Sequence, residues 1–336
     1  MPIRRSGTSA RMRTAVPDTM KAAAIDHFGP PSALALHQLP VPRTGPGEVI
    51  ISVDTAGIGS WDTSIRDGSW RKPGRAHFPL VPGVDGAGTV VAKGSRVRHV
   101  RIGDQVYAYE FGNRQGGFYA EFAAVEGKHV GRVPRGVSLR DAGALATTGL
   151  TALQGLDALR LRARQTVLIF GATGAVGTIA VQLAAQRGAI VIATASGTVA
   201  TRLVRRLGAT HAIDARRPDA PELLRKYAPG GLDCVLALAG GRELEHCLDF
   251  VRPGGRVAHP NGIEPAPAPR PTMRVHSYDA VASPSEFAKL NRHLTRARLR
   301  VPITARYSLA QAAQAHRRLE HDHVSGRMIF QIRRRG

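Results

Sequence analysis

Residues 166–177 read Thr-Val-Leu-Ile-Phe-Gly-Ala-Thr-Gly-Ala-Val-Gly, and this stretch decides the fold. The apolar run 166–170 predicts a strand that is buried on both faces, as in a parallel sheet. Three glycines at spacing G-x-x-G-x-x-G follow, and a helical pattern begins at Ala175. A strand, a glycine turn and a helix N-terminus in this order bind a dinucleotide pyrophosphate, because the first helical amides are unpaired and carry partial positive charge. The alternative is a tight turn without a ligand.

The predicted phosphate loop supplies most of the expected cofactor contacts. Its members are Gly171, Ala172, Thr173, Gly174, Ala175, Val176 and Gly177. Beyond it, apolar strands at 190–194, 211–214, 233–238 and 255–258 alternate with helical segments. This alternation predicts a doubly wound parallel sheet. Residues 20–130 instead hold short strands broken by Gly and Pro, which is typical of a barrel or sandwich.

The loop after the second strand of the predicted parallel sheet, the strand at 190–194, bears on the choice of cofactor. An NAD site usually has Asp or Glu there for the ribose hydroxyls, but residues 194–198 read Thr-Ala-Ser-Gly-Thr. Ser196 can donate a hydrogen bond to a 2′-phosphate, and Arg202 can supply positive charge. NADPH is therefore favoured over NADH. An ordinary solvated role for Arg202 on its helix remains an equal alternative.

Composition limits the broad class. The 336 residues suggest two domains, and the formal net charge is +22. Aromatic residues are only 5% of the chain, so stacking platforms for bases are missing and nucleic-acid binding is not expected. No apolar run approaches the ~20 residues that span a bilayer. The two cysteines, Cys234 and Cys247, form no disulfide framework, which fits a reducing cytoplasm.

The first residues differ from the rest. Residues 1–19 are basic and lack an apolar core of a secretory signal, whereas a regular pattern begins at Met20. We expect residues 1–19 to be a disordered or extraneous extension.

Several ordered motifs resemble the medium-chain dehydrogenase/reductase superfamily, in its zinc-independent quinone oxidoreductase (zeta-crystallin-like) branch. They are Gly57-Ile58-Gly59-Ser60-Trp61-Asp62-Thr63, Pro82-Gly83-Val84-Asp85-Gly86-Ala87-Gly88-Thr89-Val90, the phosphate loop, and Gly326-Arg327-Met328-Ile329. The resemblance covers residues 20–332. It implies a GroES-like β-barrel catalytic domain over 20–144 and 285–336, with a Rossmann NADP-binding domain over 145–284 between them. It also implies a homodimer formed through the Rossmann sheet.

The same resemblance bears on zinc. Zinc-dependent relatives have His-Glu where this chain has Val84-Asp85, and a Cys in the loop that here reads Gly59-Ser60. Catalytic zinc needs three protein ligands, and ligands of these types are missing at the matching positions. We therefore predict no metal and direct hydride transfer from NADPH to a quinone or an α,β-unsaturated carbonyl.

The resemblance also suggests site residues beyond the phosphate loop. Asp62, Ser64 and Trp70 are the catalytic candidates, although a carboxylate that caps its own loop is the favoured interpretation of Asp62 and Trp70 could equally be core packing. Thr151, Asn261 and Arg327 are candidate cofactor contacts. Relatives often have Asn at position 59, so Gly59 departs from the family pattern.

Three functional classes remain open at this stage. The first is an NADPH-dependent quinone or enone reductase. The second is an enoyl reductase of a biosynthetic pathway, whose bulkier substrate the small residues Gly59 and Ser64 would admit. The third is a weakly catalytic NADPH-binding or RNA-associated protein that uses its basic surface.

Overall fold

The computed structural model describes residues 16–69, 76–296 and 299–333. Predicted extension residues 1–15 lie outside these ranges, so their disorder stays a prediction. Regular structure begins one residue before Met20, because Thr19 pairs with Pro40 in the first two-stranded sheet.

The first part of the chain is mostly strands. Its elements are β1 (Thr19–Ala24), β2 (Ala35–Pro40), β3 (Glu48–Ile58), α1 (Ser60–Asp67), β4 (Asp85–Lys93), β5 (Gln105–Tyr109), β6 (Phe122–Glu126), β7 (Val130–Arg132), α2 (Leu139–Gly143) and α3 (Ala146–Ala158). Short 3-10 turns lie at Pro31–Ala33 and Gly127–His129. Strand β6 begins only at Phe122, because the amides of Phe118 and Tyr119 bond to the carbonyls of Gly83 and Pro82.

The middle of the chain alternates strands and helices. Its elements are β8 (Thr166–Phe170), α4 (Ala175–Gln186), β9 (Ile190–Thr194), α5 (Gly197–Arg206), β10 (His211–Ile213), α6 (Ala220–Tyr227), β11 (Leu232–Ala237), α7 (Arg242–Leu248), β12 (Val251–Pro260) and β13 (Met273–Tyr278). All six strands are parallel, in the order β10-β9-β8-β11-β12-β13. The predicted doubly wound sheet is therefore confirmed.

The last part of the chain adds strands to the sheet formed by the first part. It consists of α8 (Pro284–Arg296), β14 (Ile303–Tyr307), a 3-10 turn (Leu309–Gln311), α9 (Ala312–His321) and β15 (Arg327–Gln331). β15 pairs antiparallel with β3, and it extends a seven-stranded sheet that also holds β4, β5, β6, β7 and β14. No helix in the described ranges is long and apolar enough to cross a membrane.

Apolar packing covers both faces of the six-stranded sheet. Along β8, Val167 and Ile169 join one buried cluster while Leu168 and Phe170 join another on the opposite face. The first cluster also contains Tyr107 of β5 and Phe287 of α8, whose rings lie 4.5 Å apart. One continuous core therefore joins the two sheets and fixes the cleft between them.

A backbone hydrogen bond ties β15 to the phosphate loop. The amide of Gly326 donates to the carbonyl of Thr173 at 2.8 Å, and Gly326 and Gly174 form an isolated parallel β-bridge. Gly326 has a φ of +88°, and a Cβ there would lie 2.4 Å from the Pro302 carbonyl oxygen. Only glycine fits this junction without a backbone shift.

We expect Gly326→Ala to lower the free energy of unfolding by about 2–4 kcal/mol, since it adds a backbone clash to the ~1 kcal/mol of a left-handed alanine. Urea unfolding measures the change. Gly254→Ala is the matched control, because Gly254 has a φ of +75° with nothing within 4 Å of a built Cβ. Equal losses in the two variants would contradict the clash.

Candidate active site

A cavity of about 400 Å³ lies between the two sheets. Its wall is drawn from the loop before α1 and α1 itself, the start of α3, the phosphate loop, the loop after β12, and the start of β15. Of the predicted site residues, those that line it are Ser64, Thr151, Gly171, Gly174, Ala175, Val176, Gly177, Asn261 and Arg327. The topology therefore brings most of the predicted residues together.

The phosphate loop has the geometry of a backbone cradle. Gly171 has a φ of +80°, and Gly174 is the N-cap of the twelve-residue helix α4. A Cβ on Gly177 would lie 2.2 Å from the Gly171 carbonyl oxygen, so the first turn of the helix packs directly on the loop. The first-turn amides of α4 have no intrahelical partner and point toward the cleft end of the helix. Ala172 and Thr173 belong to the loop but do not line the cavity.

Arg327, at the start of β15, lines the cavity and belongs to a buried ion pair. The Arg327 Nη2 donates to Asp85 Oδ1 at 2.7 Å, with 7% and 0% of the two side chains exposed. The other carboxylate oxygen of Asp85 accepts from the Thr147 amide at 2.9 Å. One carboxylate thus fixes both the guanidinium of β15 and the N-terminal turn of α3.

The same guanidinium explains two glycines of the 57–63 motif. A Cβ on Gly57 would lie 2.1 Å from Arg327 Nη2, and a Cβ on Gly59 would lie 2.8 Å from Arg327 Nη1. Arg327 therefore occupies the space that a side chain at position 59 would need. The departure at Gly59 does not widen the cavity.

Two buried polar atoms on the cavity wall lack a hydrogen-bond partner among the described residues. They are Arg327 Nε and Thr147 Oγ1. The neighbouring threonines differ, because Thr148 Oγ1 donates to the Ala144 carbonyl and Thr151 Oγ1 donates to the Thr147 carbonyl. Unpaired buried polar groups are costly unless a ligand or water satisfies them. The cavity thus combines a phosphate cradle with two lining residues that hold unpaired buried polar atoms, which fits a polar, anionic dinucleotide.

Asp62 lies behind the cavity wall and does not line it. Its carboxylate accepts from the Gly59 amide at 2.8 Å and from the Val84 amide at 3.0 Å, which caps α1 and holds the loop before β4. Burial first, and then Asp85, raise the pKa of Asp62 to about 7, although Arg327 opposes them. This placement matches the capping alternative, and no substrate-facing surface is left on the side chain.

A chain of buried polar side chains continues from Asp62. The Tyr119 hydroxyl bonds to Asp62 and lies 3.1 Å from His316 Nε2, while His316 Nδ1 lies 3.3 Å from Arg66 Nη1. Since a guanidinium can only donate, His316 must accept at Nδ1 and carry its proton on Nε2. Burial and Arg66 lower the pKa of His316 to about 3, so the ring stays neutral.

The far end of this chain is an ion pair between helices. Arg66 of α1 bonds to Glu320 of α9 at 2.7 Å and to the Gly29 carbonyl at 2.9 Å. Each helix also contributes to the cavity wall, through Ser64 of α1 and Leu319 of α9. This buried network of hydrogen bonds, from Asp62 to Glu320, therefore sets the distance between the cavity walls formed by α1 and α9.

The aromatic candidates have different outcomes. Trp70 lies outside the described residues, so its role stays a prediction. Trp61, next to Asp62, lines the cavity and packs edge-on against Phe111 at 5.9 Å. A Cβ on Gly262, beyond β12, would lie 2.6 Å from the Trp61 ring. Trp61 therefore crosses the cleft from the first sheet to the second.

The predicted 2′-phosphate residues do not line the cavity. Ser196 is the N-cap of α5 and hydrogen-bonds to Asp214, which follows β10. Asp214 in turn pairs with Arg216 at 3.3 Å. Arg202 donates to the Thr198 carbonyl at 3.3 Å. The roles of Ser196 and Arg202 stay predictions, and Asp214 is a neighbour that the sequence pattern did not reveal.

Two further cavity residues escaped the sequence analysis. Thr147 stands one helical turn before the predicted Thr151, and only its contact with Asp85 distinguishes it. Tyr109 ends β5 and lines the cavity from a strand that carries no recognised motif. Across the described ranges, no group of three or more His, Cys, Asp or Glu could hold a metal ion.

Comparisons with protein families match both halves of the chain. Residues 45–135 match the alcohol dehydrogenase GroES-like domain, and residues 175–274 match the zinc-binding dehydrogenase family. The predicted pairing of a GroES-like domain with a Rossmann domain is thereby confirmed.

Relatives extend the match to nearly the full length. Quinone oxidoreductase of Sus scrofa is 30% identical over 327 residues, which cover 93% of this chain and 97% of that protein. The chloroplastic NADPH-dependent alkenal/one oxidoreductase of Arabidopsis thaliana is 28% identical, over 94% of this chain and 80% of that protein. The structure of quinone oxidoreductase from Coxiella burnetii superposes with a TM-score of 0.81 at 28% identity, over 94% and 100% of the two chains. A mycobacterial protein in complex with NADPH gives 0.81 at 26% identity, over 93% and 99%.

We expect Asp62→Asn to flatten the pH dependence of stability. The raised pKa means that the folded protein binds this proton more tightly than the unfolded chain, whose aspartate titrates near 3.8. The stability that the proton contributes is therefore full below that pH and is lost as the pH rises through about 7. Thermal melts from pH 5 to 8 measure the slope.

The amide also leaves one of the two backbone donors without an acceptor, so we expect a general loss of about 1–3 kcal/mol. Asp67→Asn, an exposed position on the same helix, is the control. An Asp62→Asn protein that keeps the wild-type slope would place the titration elsewhere.

Proposed function

This chain belongs to the medium-chain dehydrogenase/reductase superfamily, in its quinone oxidoreductase branch, and from this premise we propose that it reduces a quinone or an α,β-unsaturated carbonyl with NADPH. The observation that carries the proposal is the pairing, in one cavity, of a glycine phosphate cradle with the unpaired Arg327 Nε and Thr147 Oγ1. The chain is accordingly an oxidoreductase.

Bound NADPH would supply a hydride from C4 of its nicotinamide. In our proposal, the first-turn amides of α4 hold its pyrophosphate, and Arg327, also on the cavity wall, adds positive charge. Thr147, whose hydroxyl has no other partner among the described residues, bonds to the polar end of the nicotinamide. Thr151 and Asn261 complete the wall. The protein's contribution is then alignment of donor and acceptor, together with exclusion of water.

The substrate end of the cavity suits a planar apolar acceptor. The cavity lining includes the apolar side chains of Ile58, Trp61, Leu319 and Val324 together with Ser64 of α1, and we assign these residues to the substrate end. Since Arg327 fills the space beside Gly59, that glycine offers no extra room for a carrier-bound substrate. This favours a small quinone or enone over the bulkier enoyl intermediate that remains the second candidate.

We also propose that the reaction proceeds without zinc. Val84 is no ligand, and Asp85, which stands where zinc-dependent relatives have the Glu of a His-Glu pair, is already bound to Arg327 and to the Thr147 amide. A positively charged guanidinium at 2.7 Å opposes a cation at the same carboxylate. The donor set thus suits an anionic cofactor better than a metal ion.

Recognition of the 2′-phosphate is proposed to involve Ser196 and Arg202. The carboxylate of Asp214 beside Ser196 would oppose a phosphate, but its ion pair with Arg216 offsets that charge. For the chain as a whole, we propose domains over 20–144 with 285–336 and over 145–284, and a cytoplasmic location.

Binding titrations followed by fluorescence test the cofactor assignment. We expect NADPH to bind at least tenfold more tightly than NADH, and we expect Arg202→Ala to remove most of that difference. Thr147→Val should weaken NADPH binding by about 5–30-fold through loss of one hydrogen bond. Thr148→Val is its matched control, because that hydroxyl already donates to the Ala144 carbonyl at the end of α2.

Turnover of NADPH with a benzoquinone and with a simple enone tests the reaction. If NADH binds more tightly than NADPH, the assignment of Ser196 and Arg202 to the 2′-phosphate is contradicted. Binding of neither nucleotide, or tight binding without reduction of either acceptor, would contradict the proposed activity.

A homodimer is proposed through the edge strand β13. It is the last strand of the six-stranded sheet, and the four residues between its buried ends, Met273 and Tyr278, are exposed or half-exposed. Val281, just beyond it, is 60% exposed. An unpaired strand edge invites pairing with a second copy across a two-fold axis.

Light scattering after size-exclusion chromatography should therefore give twice the chain mass of 35.9 kDa. Val281→Glu should shift the monomer–dimer equilibrium toward the monomer, because the two glutamates would repel each other across the dimer interface. A wild-type protein that elutes at 35.9 kDa across the micromolar range would contradict the dimer.

A further inference from the structure

We infer that Tyr109 is a catalytic residue, whose phenol donates a hydrogen bond to the carbonyl oxygen of the substrate and stabilises the oxyanion that hydride transfer creates. This inference rests on the proposed function, since it names the group that receives the developing charge. It replaces water or Ser64 as the principal partner of that oxygen.

Position is the first support. Tyr109 is the last residue of β5, lies directly opposite Asp85 in the register with β4, and lines the cavity. Asp85 bonds to Arg327 and to the Thr147 amide. Arg327, Thr147 and Tyr109, which each have an unused polar atom, therefore lie around Asp85. Tyr109 is then next to the place where we expect the nicotinamide.

The hydroxyl of Tyr109 has no hydrogen-bond partner among the described residues, unlike most other tyrosine hydroxyls of the two sheets. Tyr278, which also lines the cavity, donates to the Thr151 carbonyl at 2.9 Å. Tyr107, two residues earlier on β5, donates to Asn291 at 2.8 Å. Tyr119 bonds to His316 and to Asp62. The phenol of Tyr109 is thus the one free to meet a ligand in this cavity.

Electrostatics keep the phenol in its donor form. Burial first, and then the carboxylates of Asp85, Asp279 and Asp62, raise the pKa of Tyr109 to about 12. The hydroxyl is therefore protonated at every pH at which the protein would work. Ser64 also presents a hydroxyl to the cavity, but an aliphatic alcohol is a weaker acid than a phenol and stabilises an oxyanion less.

The chemical step balances without a further cofactor. Bound NADPH would supply a hydride to the β-carbon of an enone, the carbon–carbon π electrons of the enone would move to form an enolate, and NADP⁺ would remain. Tyr109 holds the enolate oxygen by its O–H and keeps its own proton. Water then protonates the α-carbon, so the sum consumes one enone, one NADPH and one proton.

Tyr109→Phe tests the role, because it removes only the hydroxyl. With an enone as acceptor, we expect kcat to fall about a hundredfold, the loss typical of one oxyanion donor, while the Kd for NADPH measured by fluorescence stays within twofold. The matched control is Tyr107→Phe. It makes the same change on the same strand at a residue that does not line the cavity, and its kcat should stay within about threefold.

A merely structural role would lower kcat and thermal stability together in both variants. Two results would overturn the inference while leaving the proposed function intact: an active wild-type protein whose Tyr109→Phe variant keeps kcat within threefold, or a hundredfold loss in Ser64→Ala instead. A wild-type protein that binds NADPH but reduces neither enone nor quinone would end the proposed function, and the inference with it.

Discussion

The buried pair between Arg327 and Asp85 is the constraint on which the site depends. It joins β15 to β4 across 242 residues of sequence, and Asp85 extends it to the first turn of α3. Gly57 and Gly59 lack side chains because the guanidinium lies against them. Removing one partner of such a pair leaves a buried charge and typically costs 3–5 kcal/mol. Arg327, Asp85, Gly57 and Gly59 therefore depend on one another, and a substitution at any one of them alone should lower the stability of the fold.

Local pattern was sufficient where structure is set locally. The phosphate loop, the parallel strands and helix α4 follow from residues 166–186, because a buried strand, a glycine turn and a helix start each have a sequence signature. The strand β13 was missed, since its alternation of Met, Arg, Val, His and Ser follows a Pro-rich stretch. Helix α7 ends at Leu248, because Val251 already enters β12.

The candidate site was less predictable, because contacts distant in sequence define it. Thr147 and Thr151 look alike in sequence, and only the packing of α3 shows which hydroxyl is already used. Asp62 carries the residue type of a general acid, yet two backbone amides hold it behind the wall. Its neighbours Tyr119 and His316 come from far along the chain, so no motif could reveal that this carboxyl belongs to a support between α1 and α9.

The hydrogen bond from Gly326 to Thr173 also bears on the order of folding. The six strands of the parallel sheet occur consecutively between Thr166 and Tyr278, so that sheet can form as soon as this segment has been synthesised. The seven-stranded sheet cannot be completed until β15 is available to pair with β3, which is a contact of high sequence separation and therefore slow to form. A newly made chain would thus possess its nucleotide cradle before it possesses Arg327. Its earliest affinity for the cofactor would be that of the loop alone, and the last strand to arrive would add the guanidinium that completes the cofactor site.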